Sequence, residues 1–240
     1  MLIGIIKIAF LLGFLIFIHE AGHFTVAKLF DVKVTQFALG FGPTLLKKKF
    51  GETSYELKLI PLGGFVNMLG EEEPVEDSRA YNKKKKWQRI LILLAGGSVN
   101  IIFGLILCVI IASTVLGFKG GVQFTGEFLA ETFKGLGELF TARIQKDQFV
   151  GVVGISGMVV ETNGLRDFLY MMSIISVSLG ITNLLPFPPL DGGKILLLII
   201  EAIRRKPLKQ SIEVGIQMVG FFLLIGLSIF VTYNDIVRIL

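Results

Sequence analysis

The sequence predicts an α-helical integral membrane protein with about four transmembrane helices, a small membrane-associated β-hairpin or sheet after the first span, and a broken third span. Three observations predict it. The chain has 240 residues, 52% of them hydrophobic, and a mean hydropathy of +0.72, far above an ordinary globular domain. Apolar runs of bilayer length, about 20 residues each, lie at 2–18 with its continuation, at 90–116, at 167–185 and at 214–232. The third run ends in Pro186, Pro188 and Pro189, three of the seven prolines in the chain, so its helix must break between Leu185 and Lys194. Residues 1–240 read as one polytopic domain with spans of about 2–29, 90–116, 167–185 continuing broken to 203, and 211–232, and a β-region at 32–69.

Residues 1–18 start like a secretory signal, but Lys7 lies inside the apolar run and no small-x-small cleavage site follows it, so they read as a retained first span. That span leads into His19-Glu20-Ala21-Gly22-His23. On a helix, residues four apart share a face, so His19 and His23 can hold one metal ion while Glu20, rotated by about 100°, reaches a water beside it. Neutral imidazole is a good zinc ligand, and an adjacent carboxylate can take a proton from water. These are the only two histidines, and ionisable groups inside a span are costly enough to favour a functional reading. The competing reading is a His/Glu cluster at a helix end, held by hydrogen bonds.

Net charge is +5, and 12 of the 24 basic residues fall in 24–89, including Lys47 to Lys49 and Lys83 to Lys86. Arg204, Arg205, Lys206 and Lys209 form a second cluster, whereas 117–165 holds only Lys119, Lys134, Arg143 and Lys146. The positive-inside rule then places 24–89 and 204–210 in the cytoplasm and both termini outside, with the active site nearer the cytoplasmic side. Basic runs that flank spans are anchors and anionic-lipid contacts, so no nucleic-acid partner is implied. The single cysteine, Cys108, lies mid-span and reads as a small core residue.

After the first span, 32–37 alternates as a strand, Leu39 to Pro43 reads as a turn, and 44–50 with 54–60 reads as a hairpin around Gly51-Glu52-Thr53, closed by Pro61 to Val66. An open sheet edge beside a membrane helix can take up an extended peptide by strand addition; a self-contained hairpin is the alternative. Residues 71–86, acidic then basic, read as a solvated flexible link. The second span carries Gly96, Asn100 and Gly104 on one face, and Asn100 reads equally as helix packing or as part of the site. In 117–165, Phe128, Leu129, Phe133, Leu136, Leu139 and Phe140 recur at helical spacing, an amphipathic helix on the membrane surface. Val150 to Gly157 reads as a re-entrant piece or a buried strand.

Zinc needs a third protein ligand and an open position. Asp191, at the break, is the best placed; Glu201 and Cys108 are its rivals, and an N-cap of a helix from Lys194 is the competing role for Asp191. A broken helix at membrane depth is tolerated only where protein or a water-filled cavity covers its backbone.

These residues resemble the site-2 protease family of intramembrane zinc metalloproteases, including its bacterial regulator-type and sporulation-type members. His19-Glu20-x-x-His23 and Asn183-x-x-Pro186-x-Pro188-x-Leu190-Asp191-Gly192 carry the match. Leu39 to Pro43, the hairpin, Pro61 to Gly64 and Ala95 to Asn100 look like further family features. The resemblance implies zinc held by His19, His23 and Asp191, water activated by Glu20, and Asn183 holding the scissile carbonyl or its oxyanion. It implies substrate contacts at Gly40, Phe41, Gly42, Leu57, Leu59, Gly63, Gly64 and Asn100. The implied substrates are transmembrane segments of single-pass regulators or remnant signal peptides, cut within the bilayer of a bacterial cytoplasmic membrane. Many bacterial members carry a PDZ domain between the second and third spans; the roughly 50 residues here are too few for one, and no C-terminal regulatory domain is expected. Gly96-Gly97 stands where many relatives have Gly-Pro. The alternatives are a metal-binding membrane transporter using the broken helix and an inactive relative that only binds membrane segments.

Overall fold

In a computed structural model of the chain, residues 2–140 and 151–239 are described. The elements run α1 (Leu2–Leu29), β1 (Val34–Phe50), β2 (Thr53–Met68), α2 (Lys86–Phe140), α3 (Val152–Glu161), α4 (Leu165–Asn183), α5 (Asp191–Arg204) and α6 (Gln210–Ile239), with a 3-10 turn at Tyr81–Lys83. Among the described residues four helices, α1, α2, α4 and α6, are long and apolar enough to cross a membrane. Their outward side chains, such as Ile3, Ile106, Phe222 and Ile229, are apolar and exposed, which suits contact with lipid and makes this an integral membrane protein.

Two compact units are built from these elements. One comprises Ala9–Ile101 and Leu179–Gly220, the other Met1–Ile8, Ile102–Ser178 and Phe221–Leu240. In the first, α1 ends at Leu29 and the turn after it passes through Asp31, whose φ of 51° lies in the left-handed region that aspartate tolerates better than most residues. The chain then enters a small sheet packed on α1. The predicted hairpin is present, with Phe50 opposite Thr53, Lys48 opposite Tyr55 and Leu46 opposite Leu57. The stretch read as a turn at Leu39 to Pro43 is instead a bend within β1. Gly40 and Gly42 have φ of 87° and 85°, values only glycine adopts without strain, and the pairing register shifts there. As a result Phe37 and Ala38 pair with Val66 and Phe65 on one flank and with Tyr55 and Glu56 on the other. Residues 64–68 therefore form an outer strand.

Phe37 sits in the core with Ala27, Val32, Val34, Val66, Met68, Tyr81 and Ile92. Its ring meets Phe24 edge-on at 5.6 Å and Tyr55 at 5.9 Å. Residues 71–86, expected as a flexible link, are tied down. Tyr81 is buried, its N–H donates to the Leu69 carbonyl at 2.7 Å, and burial pushes its phenol up to about 12. Arg79 donates to Glu52 at 2.8 Å through both terminal nitrogens and to Asp31 at 2.9 Å, and Lys28 also pairs with Glu52. Hydrogen bonds from Arg79 and Lys28 bring the Glu52 carboxyl down to about 2. Charge blocks misled the sequence reading because Arg79 and Tyr81 find partners tens of residues away.

In the second unit α2 reverses at Gly117, whose φ of 70° and ψ of 167° are non-helical. A Cβ on Gly121 would stand 2.8 Å from the Ser113 nitrogen, so residues 118–140 double back beside the preceding turns. The expected helix in this region exists, and Phe124 lies 6.2 Å from Tyr170 of α4; nothing is described of the Leu139 and Phe140 side chains. The glycine-broken stretch read as a re-entrant piece or a strand is the short helix α3, Val150 lying outside the described residues. Two ionisable side chains within spans bracket α3. Asp235 of α6 accepts from the N–H groups of Gly151 at 3.2 Å and Gly154 at 2.9 Å, and Lys7 of α1 donates to the Thr162 carbonyl at 2.9 Å.

Candidate active site

α1 carries His19, Glu20 and His23 into the first unit on one helical turn, all three about nine-tenths buried. The imidazoles meet edge-on at 4.8 Å between centroids. His23 Nδ1 lies 2.8 Å from the Ile92 carbonyl oxygen. A carbonyl can only accept, so Nδ1 carries a proton, and in the neutral ring that can ligate a metal Nε2 keeps its lone pair.

Asp191 arrives from the helix break. Its role is not that of an N-cap: α5 begins at Asp191 itself, with Leu190 as the cap residue. The turn before it is compact, with Phe187 N–H on the Leu185 carbonyl at 2.7 Å and Leu190 N–H on the Phe187 carbonyl at 3.0 Å. Gly192 passes so close to the Leu184 and Leu185 carbonyl oxygens that a side chain there would collide with both.

Asp191 Oδ2 stands 3.2 Å from His19 Nε2 and 3.2 Å from His23 Nε2, and the two Nε2 atoms are 3.2 Å apart. Three electron-pair donors thus form a near-equilateral triangle. Tetrahedral zinc with bonds of 2.0–2.1 Å sets ligand atoms about 3.3 Å apart, so the donor set fits zinc in spacing and in chemistry. A lone pair at His23 Nε2 facing a carboxylate oxygen calls for a cation between them. Among the described residues His19, His23 and Asp191 are the group of His, Cys, Asp or Glu that could hold a metal ion. The rivals to Asp191 are placed otherwise: Glu201 accepts the Leu208 N–H at 2.7 Å, and Cys108 belongs to the other unit.

These residues open on a cavity of about 690 Å³. Glu20 and Asn183, the last residue of α4, line it, and so does the outer strand from Gly64 to Met68. Gly64 packs on Glu20, since a Cβ there would stand 2.9 Å from Glu20 Cγ. Of the residues expected to contact substrate, Gly64 is at the cavity. Gly40, Phe41, Gly42, Leu57, Leu59 and Gly63 lie elsewhere in the sheet, and Asn100 is fully buried in α2. The sequence reading places a peptide-docking edge on the hairpin; the strand that lines the cavity together with His19, His23 and Asp191 is Gly64–Met68. That reading also missed Lys194, three residues past Asp191, whose Nζ donates to Glu71 at 3.1 Å across the cavity wall.

The model of peptidase family M50 matches residues 7–227. The chain is 29% identical to "Putative zinc metalloprotease CPE1693" of Clostridium perfringens, over 93% of this chain and 95% of that one. It is 28% identical to a Clostridium acetobutylicum protein of the same description, over 94% and 95%. Zinc metalloprotease RasP of Geobacillus kaustophilus is 24% identical over 97% of each chain. The alignment to the first of these runs over 320 positions, more than this chain has, so the relatives carry insertions. With the match running almost from end to end and a zinc-sized triangle of donors at its head, the chain belongs to peptidase family M50 and is a zinc metalloprotease of the site-2 type.

Proposed function

We propose that the protein is an intramembrane endopeptidase that cuts transmembrane segments of membrane-tethered regulators or remnant signal peptides, as in regulated intramembrane proteolysis. One observation carries this reading: the outer strand Gly64–Met68 and the Glu20 carboxylate line the same cavity as His19, His23 and Asp191. A peptide bond in a membrane helix is shielded by its own hydrogen bonds, and opening the helix in lipid strands polar groups at several kcal/mol each. An extended segment laid on the strand edge regains those bonds from backbone.

His19, His23 and Asp191 would hold the zinc, which when bound would supply Lewis acidity toward water and the scissile carbonyl. Glu20 takes a proton from the attacking water as its oxygen bonds to the carbonyl carbon. It then delivers that proton to the leaving nitrogen as the C–N bond breaks, giving a carboxylate and an amine. The Asn183 amide donates to the carbonyl oxygen as it gains charge. Ile92 keeps His23 in the tautomer that offers Nε2. The basic clusters at 24–89 and 204–210 support a cavity that faces the cytoplasmic side, in a bacterial cytoplasmic membrane.

The test is Glu20→Gln with a single-pass membrane peptide as substrate in detergent. Zinc content should match wild type while cleavage drops about 10²- to 10⁴-fold. Cleavage at the wild-type rate would overturn the assignment of Glu20 as base.

A further inference from the structure

Glycine in the middle of a helix is destabilising relative to alanine, so Gly96, well inside α2, calls for a reason. Its neighbour Gly97 has one in packing, since a Cβ there would stand 2.7 Å from Leu184 Cγ and 2.9 Å from the Gly180 carbonyl oxygen. Gly22 of α1 has another, its would-be Cβ lying 2.7 Å from the Ala95 carbonyl oxygen. Gly96 faces something else. A Cβ built on it would collide with His23 Nε2, stand 2.7 Å from His23 Cε1 and stand 2.8 Å from His19 Nε2. A methyl group at 96 would therefore occupy the space between the two nitrogens that point at Asp191. One turn earlier on the same helix, the Ile92 carbonyl accepts the His23 Nδ1 proton at 2.8 Å. Ile92 is fully buried, so this anchor is shielded from competing water. A single turn of α2 thus aims the lone pair of one ligand and withholds a side chain from the place it is aimed at.

We infer that Gly96 is a positioning residue of the zinc site: by lacking a side chain it keeps the space among His19, His23 and Asp191 open, and the turn Ile92–Gly96 is the wall that bounds the ion. Helix packing does not account for it, because the atoms that a Cβ would meet belong to the two imidazoles and not to a neighbouring backbone. This inference rests on the ligand set assigned above, and the experiment separates the two.

Zinc per folded chain is measured by elemental analysis on detergent-purified full-length wild type, His23→Ala, Gly96→Ala and Gly97→Ala, with helicity checked by circular dichroism. The expected result is zinc in the wild type, loss in His23→Ala, a loss of about tenfold or more in Gly96→Ala, and zinc retained in Gly97→Ala. Folded Gly96→Ala with wild-type zinc overturns the inference while leaving the ligands intact. Equal losses in Gly96→Ala and Gly97→Ala also overturn it, because general loosening of α2 would then explain both. Zinc retained in His23→Ala removes the ligand set, and this inference with it. If Gly96→Ala does not fold, the same change is made in the His23→Ala background. Folding there as well as His23→Ala alone locates the collision at the imidazole, as expected; unfolding there shows a packing role and overturns the inference.

Discussion

Two groups of ionisable side chains lie within the spans, and they do different things. His19, Glu20 and His23 converge with Asp191, so that side chains rich in lone pairs confront one another. Lys7 and Asp235, in the other unit, confront backbone instead: Asp235 takes two N–H groups at the start of α3 and Lys7 the carbonyl and hydroxyl at Thr162, at its end. The signs match the helix dipole, anion at the N-terminus and cation at the C-terminus. Charge inside a span is therefore not by itself a mark of chemistry. What separates the two cases is whether the partners satisfy the charge or leave donor atoms facing one another.

The largest effect expected from this contrast comes from exchanging residues between its arms. Asp191→Ala should strip zinc and reduce cleavage to background, whereas Lys7→Met and Asp235→Asn should keep zinc at the wild-type level. Zinc loss in Asp235→Asn, measured on folded protein, would break the distinction. A smaller effect sharpens it. Asp235→Ala leaves two N–H groups at the start of α3 without their acceptor, and thermal unfolding should register a cost of about 1–3 kcal/mol.

The surface network at the sheet offers a third kind of charge, one governed by solvent pH. Glu52 has its carboxyl lowered from 4.5 to about 2 by Arg79 and Lys28. A lowered carboxyl stabilises the fold fully above its unfolded value, and that contribution fades as pH falls from about 4.5 toward 2. Hydrogen-exchange protection factors at the 50–53 turn, corrected for intrinsic rates, should accordingly be constant above about 4.5 and fall below it. Arg79→Ala should weaken that dependence without abolishing it, because Lys28 still pairs with Glu52, and the effect on overall stability should be small because the pair is exposed to solvent. The smallest effect is expected at Gly13, where an added Cβ would meet nothing within 4 Å. Gly13→Ala should raise stability by about 0.5–1 kcal/mol through backbone entropy alone, in contrast to Gly96→Ala.

Much of this was legible in the sequence, for reasons of pattern. His19 and His23 announce themselves by helical period, the spans by length, and Asp191 by the prolines that break its helix. Features that depend on a distant partner were not legible. Lys7 looks anomalous until Thr162, 155 positions on, supplies a carbonyl. Arg79 reads as part of a charged link until it meets Glu52. The third strand, Gly64–Met68, was not legible because two left-handed glycines turn a local bend into a change of pairing partner. The sequence marks Gly96 as a close-approach glycine but not what it approaches, since a glycine that makes room looks the same as one that packs.

The corner between α4 and α5 carries a mechanical consequence. Gly192 is pressed on the Leu184 and Leu185 carbonyls, and a Cβ on Gly193 would stand 2.5 Å from the Pro188 nitrogen. A joint this closely packed leaves no room for a side chain at either glycine, so exchanging Gly192 or Gly193 for any larger residue would have to move the corner that carries Asp191.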